Sequence, residues 1–183
     1  MKKMKYPKPF FGFQEMATNV LTLLPKPVVI TRQLQEQVIC MMAAVNNVCQ
    51  DEIYSSFTRF KSDARAAWLK GTWKPGKTNA ERSEASKEMM LSNLFGGGGV
   101  SGHLICPVLK NIGVNCIPGI TKDDCVFITN GIIVCRMKEG FLHAIAIRNG
   151  WAIDSIGSKV YKWNGKIKGG KTIEYGVRVF PPE

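Results

Sequence analysis

Hydrophobic spacing divides the chain near its middle. Residues 33–49 (QLQEQVICMMAAVNNVC) hold no Gly or Pro and are rich in helix formers, so a helix is expected there. In residues 51–70, Ile53, Phe57, Phe60, Ala64, Ala67 and Trp68 fall mostly three and four apart, which gives a helix one apolar stripe. Asp51 and Glu52 fall in its first turn, where the helix dipole favours acids. Gly71 to Gly76 (GTWKPG) ends that pattern. A third helix is expected from Asn79, as N-cap, to about Phe95, and a short one from His103 to Asn111.

The second half reads as antiparallel sheet. Asn-Gly occurs at 130–131, 149–150 and 164–165, each time between β-rich segments. It favours the type I′ hairpin, because both central residues of that turn need positive φ. Strands are expected at about 125–129, 132–138, 142–148, 151–156, 159–163 and 174–180, which describes a meander. The fold class is α+β: an N-terminal extension over 1–32, a helical lobe over 33–113 and a β-sheet lobe over 114–183, together one domain.

Composition narrows the partners. The 183 residues are 45% hydrophobic and 21% charged, a globular balance with enough length to bury a core without staples. Lys and Arg number 25 against 14 acids, a net charge of +11. That excludes an acidic solvating tail and makes nucleic acid or an acidic polypeptide a plausible partner. The basic residues group at Lys2–Lys8, Arg59–Lys87 and Lys159–Lys171. The last group has no acid between its lysines and has Trp163 in its midst, which suits either a phosphate backbone or a solvated surface hairpin. No ribonucleoprotein, KH or helix-turn-helix signal accompanies it. Pro7 and Pro9 interrupt the basic start before any apolar signal-peptide core, and no apolar run approaches the roughly 20 residues of a membrane span. With six cysteines and no CxxC, the expectation is free thiols in a reducing compartment and no membrane span.

Chemistry starts from the two histidines. His143 opens HAIAIRNGWAIDS, and a two-residue turn at Asn149-Gly150 sets Arg148 opposite Trp151, Ile145 opposite Asp154 and His143 opposite Ile156. Alternation then puts His143 and Asp154 on one face as diagonal neighbours, with Cβ atoms about 7–8 Å apart. A carboxylate there accepts from one ring nitrogen and leaves the other to act as base. The plainer reading is a polar pair on a solvated face, but the flanking Ala144, Ile145, Ala146, Ile147, Ala152 and Ile153 favour burial or a cleft. The partner nucleophile would be a Cys. Cys40 suits the role if it starts a helix, where unpaired N–H groups favour a thiolate, and is an inert core thiol if the helix starts near Gln33. Cys49 is the other candidate, with Asp51 and Glu52 against it. A zinc site from His103, Cys106, Cys116 and Cys125 has spacings of no common finger, so no metal and no cofactor are expected. Cys116, Cys125 and Cys135 read as core thiols. The run Gly96–Gly99 admits close approach of a substrate backbone, or is a flexible linker.

Three stretches occur in a telling order: CMMAAV from Cys40, GGGGVSGHLICPVLKNIG from Gly96 to Gly113, and HAIA…NGWAID from His143 to Asp154. Tyr161-Lys-Trp163 and Val177 to Pro181 follow. The set resembles the leader proteases of picornaviruses, the foot-and-mouth disease virus kind, although Ile39-Cys40-Met41 stands where that family has Asn-Cys-Trp. The resemblance implies a papain-like fold, with an active-site cleft between the helical lobe and the β-meander lobe. It implies Cys40 as nucleophile, His143 as general base, Asp154 as the residue that orients it and Gln35 as oxyanion donor. Gly97, Gly98, Gly99 and Trp151 would contact substrate. The implied activity is that of a viral cysteine endopeptidase in the host cell cytoplasm. Its substrates would be a viral polyprotein, for self-release, together with host proteins or ubiquitin-like modifiers. The alternative is a non-enzymatic basic protein on a similar scaffold that binds RNA or a host factor.

Overall fold

The structure, a computed structural model, describes residues 24–33, 39–71, 92, 100–169 and 171–180. Helices α1 (Cys40–Cys49), α2 (Phe57–Gly71) and α3 (Ile105–Asn111) precede six strands: β1 (Asn115–Ile120), β2 (Gly131–Arg136), β3 (Leu142–Arg148), β4 (Trp151–Asp154), β5 (Lys159–Lys162) and β6 (Thr172–Phe180). One antiparallel sheet takes them in the order β1-β6-β2-β3-β4-β5. Among the described residues only β2 to β5 form the expected meander. The chain then returns across the sheet, and β6 pairs with β2 on one side and β1 on the other. The fold is therefore α+β with an antiparallel sheet, but not a simple meander. Among the described residues no helix is long and apolar enough to cross a membrane.

The strands at the middle of the sheet read as near-continuous apolar runs because both of their faces are covered. Ile132, Val134, Ala144, Ala146, Ile153, Val177 and Val179 join Met42, Val45, Phe60, Leu104 and Leu109 of the helical side in one core. Ile133, Cys135, Ile145, Ile147, Ala152 and Ile173 turn the other way, onto Cys125 and Ile128, with Tyr161, Trp163 and Ile167 packed around them. Each buried Ile or Val contributes about 1.5–3 kcal/mol, so this double layer dominates the sheet's stability.

Of the three Asn-Gly pairs, Asn149-Gly150 alone has both residues at positive φ, 53° and 71°. Gly131 instead begins β2, and a Cβ there would lie 2.3 Å from the Val177 carbonyl and 2.6 Å from Ile128 Cγ2. Its glycine serves close approach between β2 and β6, not a turn. At Asn164-Gly165 only Gly165 has positive φ, 78°, and the pair opens the long return to β6.

The strand expected at 125–129 is a 3-10 turn, Asp124–Phe127. Thr121 donates to Asp124 Oδ2 at 2.6 Å, and the Cys125 N–H bonds the Thr121 carbonyl at 3.0 Å, which curls the chain and buries Cys125. The unexpected strand is β1. Pro118 and Gly119 disguise it, and both are tolerated because β1 lies at the sheet edge and its register breaks between Ile117 and Ile120.

The helices start later than their apolar patterns suggest. Gln33 is in an extended bridge with Ile156, its N–H bonded to the Ser155 carbonyl at 3.0 Å, and α1 begins at Cys40. Residues 51–56 are held off helix by Asn46, whose amide accepts the Tyr54 N–H at 3.0 Å and donates to the Tyr54 carbonyl at 2.8 Å. Asn47 does the same for the incoming segment, accepting from Ile30 and Thr31 at 2.7 and 3.0 Å. The helix expected from Asn79 to Phe95 falls, apart from Ser92, outside the described residues.

Gly131→Ala should lower stability by about 1–3 kcal/mol, the usual cost of overpacking, since the nearest obstacle is backbone and cannot rotate away. Urea melts of the two proteins would measure it, and coincident melts would contradict the close approach of β2 and β6.

Candidate active site

The Asn149-Gly150 turn fixes the register of β3 on β4. Arg148 faces Trp151, Ile147 faces Ala152 and Ala146 faces Ile153. Continued by one residue, this pairing puts Ile145 opposite Asp154, so His143 and Asp154 share a pleat. Their side chains meet: His143 Nε2 lies 2.9 Å from Asp154 Oδ1, and both residues are buried. Asp154 has two further donors. The Ile156 N–H reaches Oδ1 at 3.1 Å, and Lys171 Nζ reaches Oδ2 at 2.5 Å.

Cys40 comes from the other direction. The body of α1 packs on the opposite pleat, against Ala144 and Ala146, and the thiol of its first residue lies close enough to the His143 ring to raise the imidazole's pKa. With Nε2 engaged by Asp154, Nδ1 is the ring nitrogen left for the thiol. Cys40 is half-buried. The helix it opens has no side-chain cap at Ile39 and no acid in its first turn, so nothing there offsets the positive end of the dipole.

The charges are coupled. Burial pushes the His143 imidazole towards neutrality, but the hydrogen bonds to Asp154 and Cys40 outweigh it and raise its pKa above the ordinary value. Burial likewise opposes ionisation of Asp154, yet bonds from His143 and Lys171 hold its carboxyl below the usual range. The other thiols differ. Burial pushes Cys49 up to about 11, with Arg148 opposing and Asp51 adding to the rise. Burial also pushes Cys106 and Cys135 up to about 12 and Cys125 to about 11, so these are neutral core groups. All six cysteines are free.

The remaining sequence candidates are scattered. Gln35, Gly97, Gly98 and Gly99 lie outside the described residues. Trp151 sits at the turn end of β4, on the pleat opposite Asp154 and three residues from it, a separation of about 10 Å along the strand. Its ring is flanked by Lys162 Nζ at 4.3 Å and Lys26 Nζ at 5.5 Å, so it faces lysines and not the His–Asp pair. His103 is exposed, Cys106 touches Cys116, and Cys125 belongs to the other core layer. Among the described residues no group of His, Cys, Asp and Glu could hold a metal ion.

Sequence reasoning missed Lys171, which it placed among surface lysines. Lys159, Lys162, Lys166 and Lys168 are exposed, but the Lys171 side chain is only 8% exposed. No local pattern marks it, because its partner is 17 residues away on another strand. Gln33, two residues before the expected oxyanion donor, is also at the margin: Ser155 Oγ donates to its Oε1 at 3.2 Å, beside Asp154.

Comparison with protein-family models and with curated proteins gave no match for this chain. Its class is accordingly an α+β protein whose six-stranded antiparallel sheet carries a buried His–Asp–Lys chain ending at a helix-terminal thiol.

The two pKa shifts predict opposite pH limits. Asp154 contributes stability above the ordinary carboxylate value of about 3.9 and loses it as pH falls through its lower folded value. His143 contributes in full below about 6.5 and loses it as pH rises through its raised folded value. Urea midpoints across the pH range should therefore decline at both ends, and Asp154→Asn should flatten the acid limb while His143→Ala flattens the upper one. Unchanged limbs in both variants would contradict the coupling.

Proposed function

We propose that the protein is a papain-like cysteine endopeptidase of the viral leader-protease kind, working in the host cytoplasm on its own polyprotein and on host proteins or ubiquitin-like modifiers. The observation that carries this reading is a buried imidazole whose Nε2 is bound to Asp154, with the Cys40 thiol close enough to its ring to raise its pKa. The order of the sequence stretches around Cys40, Gly96–Gly113 and His143–Asp154 supports the substrate class.

In the proposed reaction, His143 takes the Cys40 proton on Nδ1 and the thiolate sulfur attacks the scissile carbonyl carbon. The tetrahedral oxyanion is held by the Cys40 backbone N–H and the Gln35 amide. As the C–N bond breaks, the imidazolium gives its proton to the leaving amine and a thioester remains. Water then attacks the thioester with His143 again as base, and the acid and the thiol are released. Asp154 takes no proton. It holds the imidazole in the tautomer and orientation that the thiol requires.

The alternative, a basic protein that binds RNA or a host factor, is favoured by the exposed Lys159, Lys162, Lys166 and Lys168, of which Lys162 lies over Trp151 and Lys168 over Tyr161. It has no use for a thiol at Cys40, and this separates the two. Cys40→Ala should abolish peptide cleavage and labelling by a peptide electrophile without lowering the melting temperature. Labelling of Cys49 instead, or undiminished cleavage by the variant, would reject the proposal.

A second outcome concerns the carboxylate. Asp154→Asn should cut turnover by orders of magnitude, towards the roughly 10⁴-fold loss when the carboxylate of a serine triad becomes an amide. Wild-type kinetics in that variant would reduce Asp154 to a scaffold residue.

A further inference from the structure

We infer that Lys171 is a positioning residue of this site, whose ammonium group clamps one oxygen of Asp154 so that the other is presented to His143. The inference goes beyond the protease reading in assigning a further member to the site, and its catalytic meaning rests on that reading. Its geometry does not. The Lys171 and Asp154 side chains are 8% and 6% exposed, with Nζ 2.5 Å from Oδ2.

The route of β6 explains how a lysine from so late in the chain arrives here. Ile173, Cys135 and His143 lie in one row across β6, β2 and β3, and Lys171 is two residues before Ile173. From the head of β6 it reaches past this row to the carboxylate on β4.

A buried carboxylate needs a cation in both states of its histidine. His143 supplies a positive charge while it is an imidazolium and withdraws it on becoming neutral, as it does when a leaving amine takes its proton. An isolated buried carboxylate would then cost several kcal/mol, and the proton would be held back on the ring or drawn to the acid. Lys171 keeps Asp154 balanced throughout, so the imidazole is free to gain and lose its proton. The other groups that face Asp154 do not substitute for it. Tyr161 of β5 and Cys135 of β2 are pushed up to about 12, chiefly by burial, and stay neutral. Lys159, opposite Asp154 on β5, is exposed, and Glu174 of β6 is paired with Arg136 at 2.7 Å.

The test is made on the full chain carrying Cys40→Ala, so that no thiol titrates with the ring and no cleavage is needed. Carbon and nitrogen NMR would follow the Asp154 carboxyl and the His143 imidazole through pH. Lys171→Gln keeps a donor and removes the charge. It should move both midpoints upward, Asp154 more than His143, while Lys171→Arg leaves both near the parent's values. Midpoints in Lys171→Gln that coincide with the parent's would overturn the inference. Should that variant fail to fold, Lys171→Met combined with Asp154→Asn removes both charges. It should melt above Lys171→Met alone, since it leaves no buried carboxylate unpaired. A double variant no more stable than Lys171→Met would overturn the inference too. Failure of Cys40→Ala to abolish cleavage would instead count against the protease reading and leave these midpoints as they are.

Discussion

A carboxylate buried at the end of β4 obliges separate parts of the chain to meet. Asp154 is 4% exposed, and an ionised group at that depth costs several kcal/mol unless its oxygens are fully bonded. Its donors come from β3, from the chain just beyond β4 and from the head of β6. The return of β6 across the meander satisfies this carboxylate as well as covering the edge of β2. Removing any one donor would leave the others competing with water that cannot easily enter.

The second requirement is a helix that approaches the sheet closely. The eight residues from Met41 to Val48 are all buried, including Asn46 and Asn47. Ala43 and Ala44 of α1, with Ala144 and Ala146 of β3, keep its side chains small on both sides of the contact. The two asparagines can be buried because each has both its amide oxygen and its amide nitrogen bonded to the segments around residues 30 and 54. These bonds tie the second half of α1 to Ile30, Thr31 and Tyr54, while its apolar side chains share a core with Ala144 and Ala146 of β3.

Lysine shows how one residue type takes two roles in a basic chain. Lys162 and Lys168 are exposed and set their ammonium groups over the Trp151 and Tyr161 rings, 4.3 and 4.9 Å from the ring centroids. Lys171 is drawn inside by a carboxylate strong enough to offset its desolvation. Between them they account for an exposed basic surface and for one internal ammonium paired with a buried carboxylate.

The relation of His143 to Asp154 was legible in the sequence, because strand alternation and a two-residue Asn-Gly turn are local rules that act within 12 residues of chain. The α+β class and the apolar stripe of α2 were legible for the same reason. The tertiary structure decided the rest. Gln33 could as well have belonged to a helix until its backbone paired with Ser155, and Cys40 is the first residue of α1. Gly131 carried a turn signal, but the closeness of Val177 decided its use. β1 was hidden by Pro118 and Gly119, which only an edge position excuses. Lys171 was one more lysine until a buried carboxylate 17 residues earlier in the chain claimed it. Local stereochemistry acts between neighbours in sequence, whereas the cost of burying a polar group is met by whichever partner the folded chain brings near.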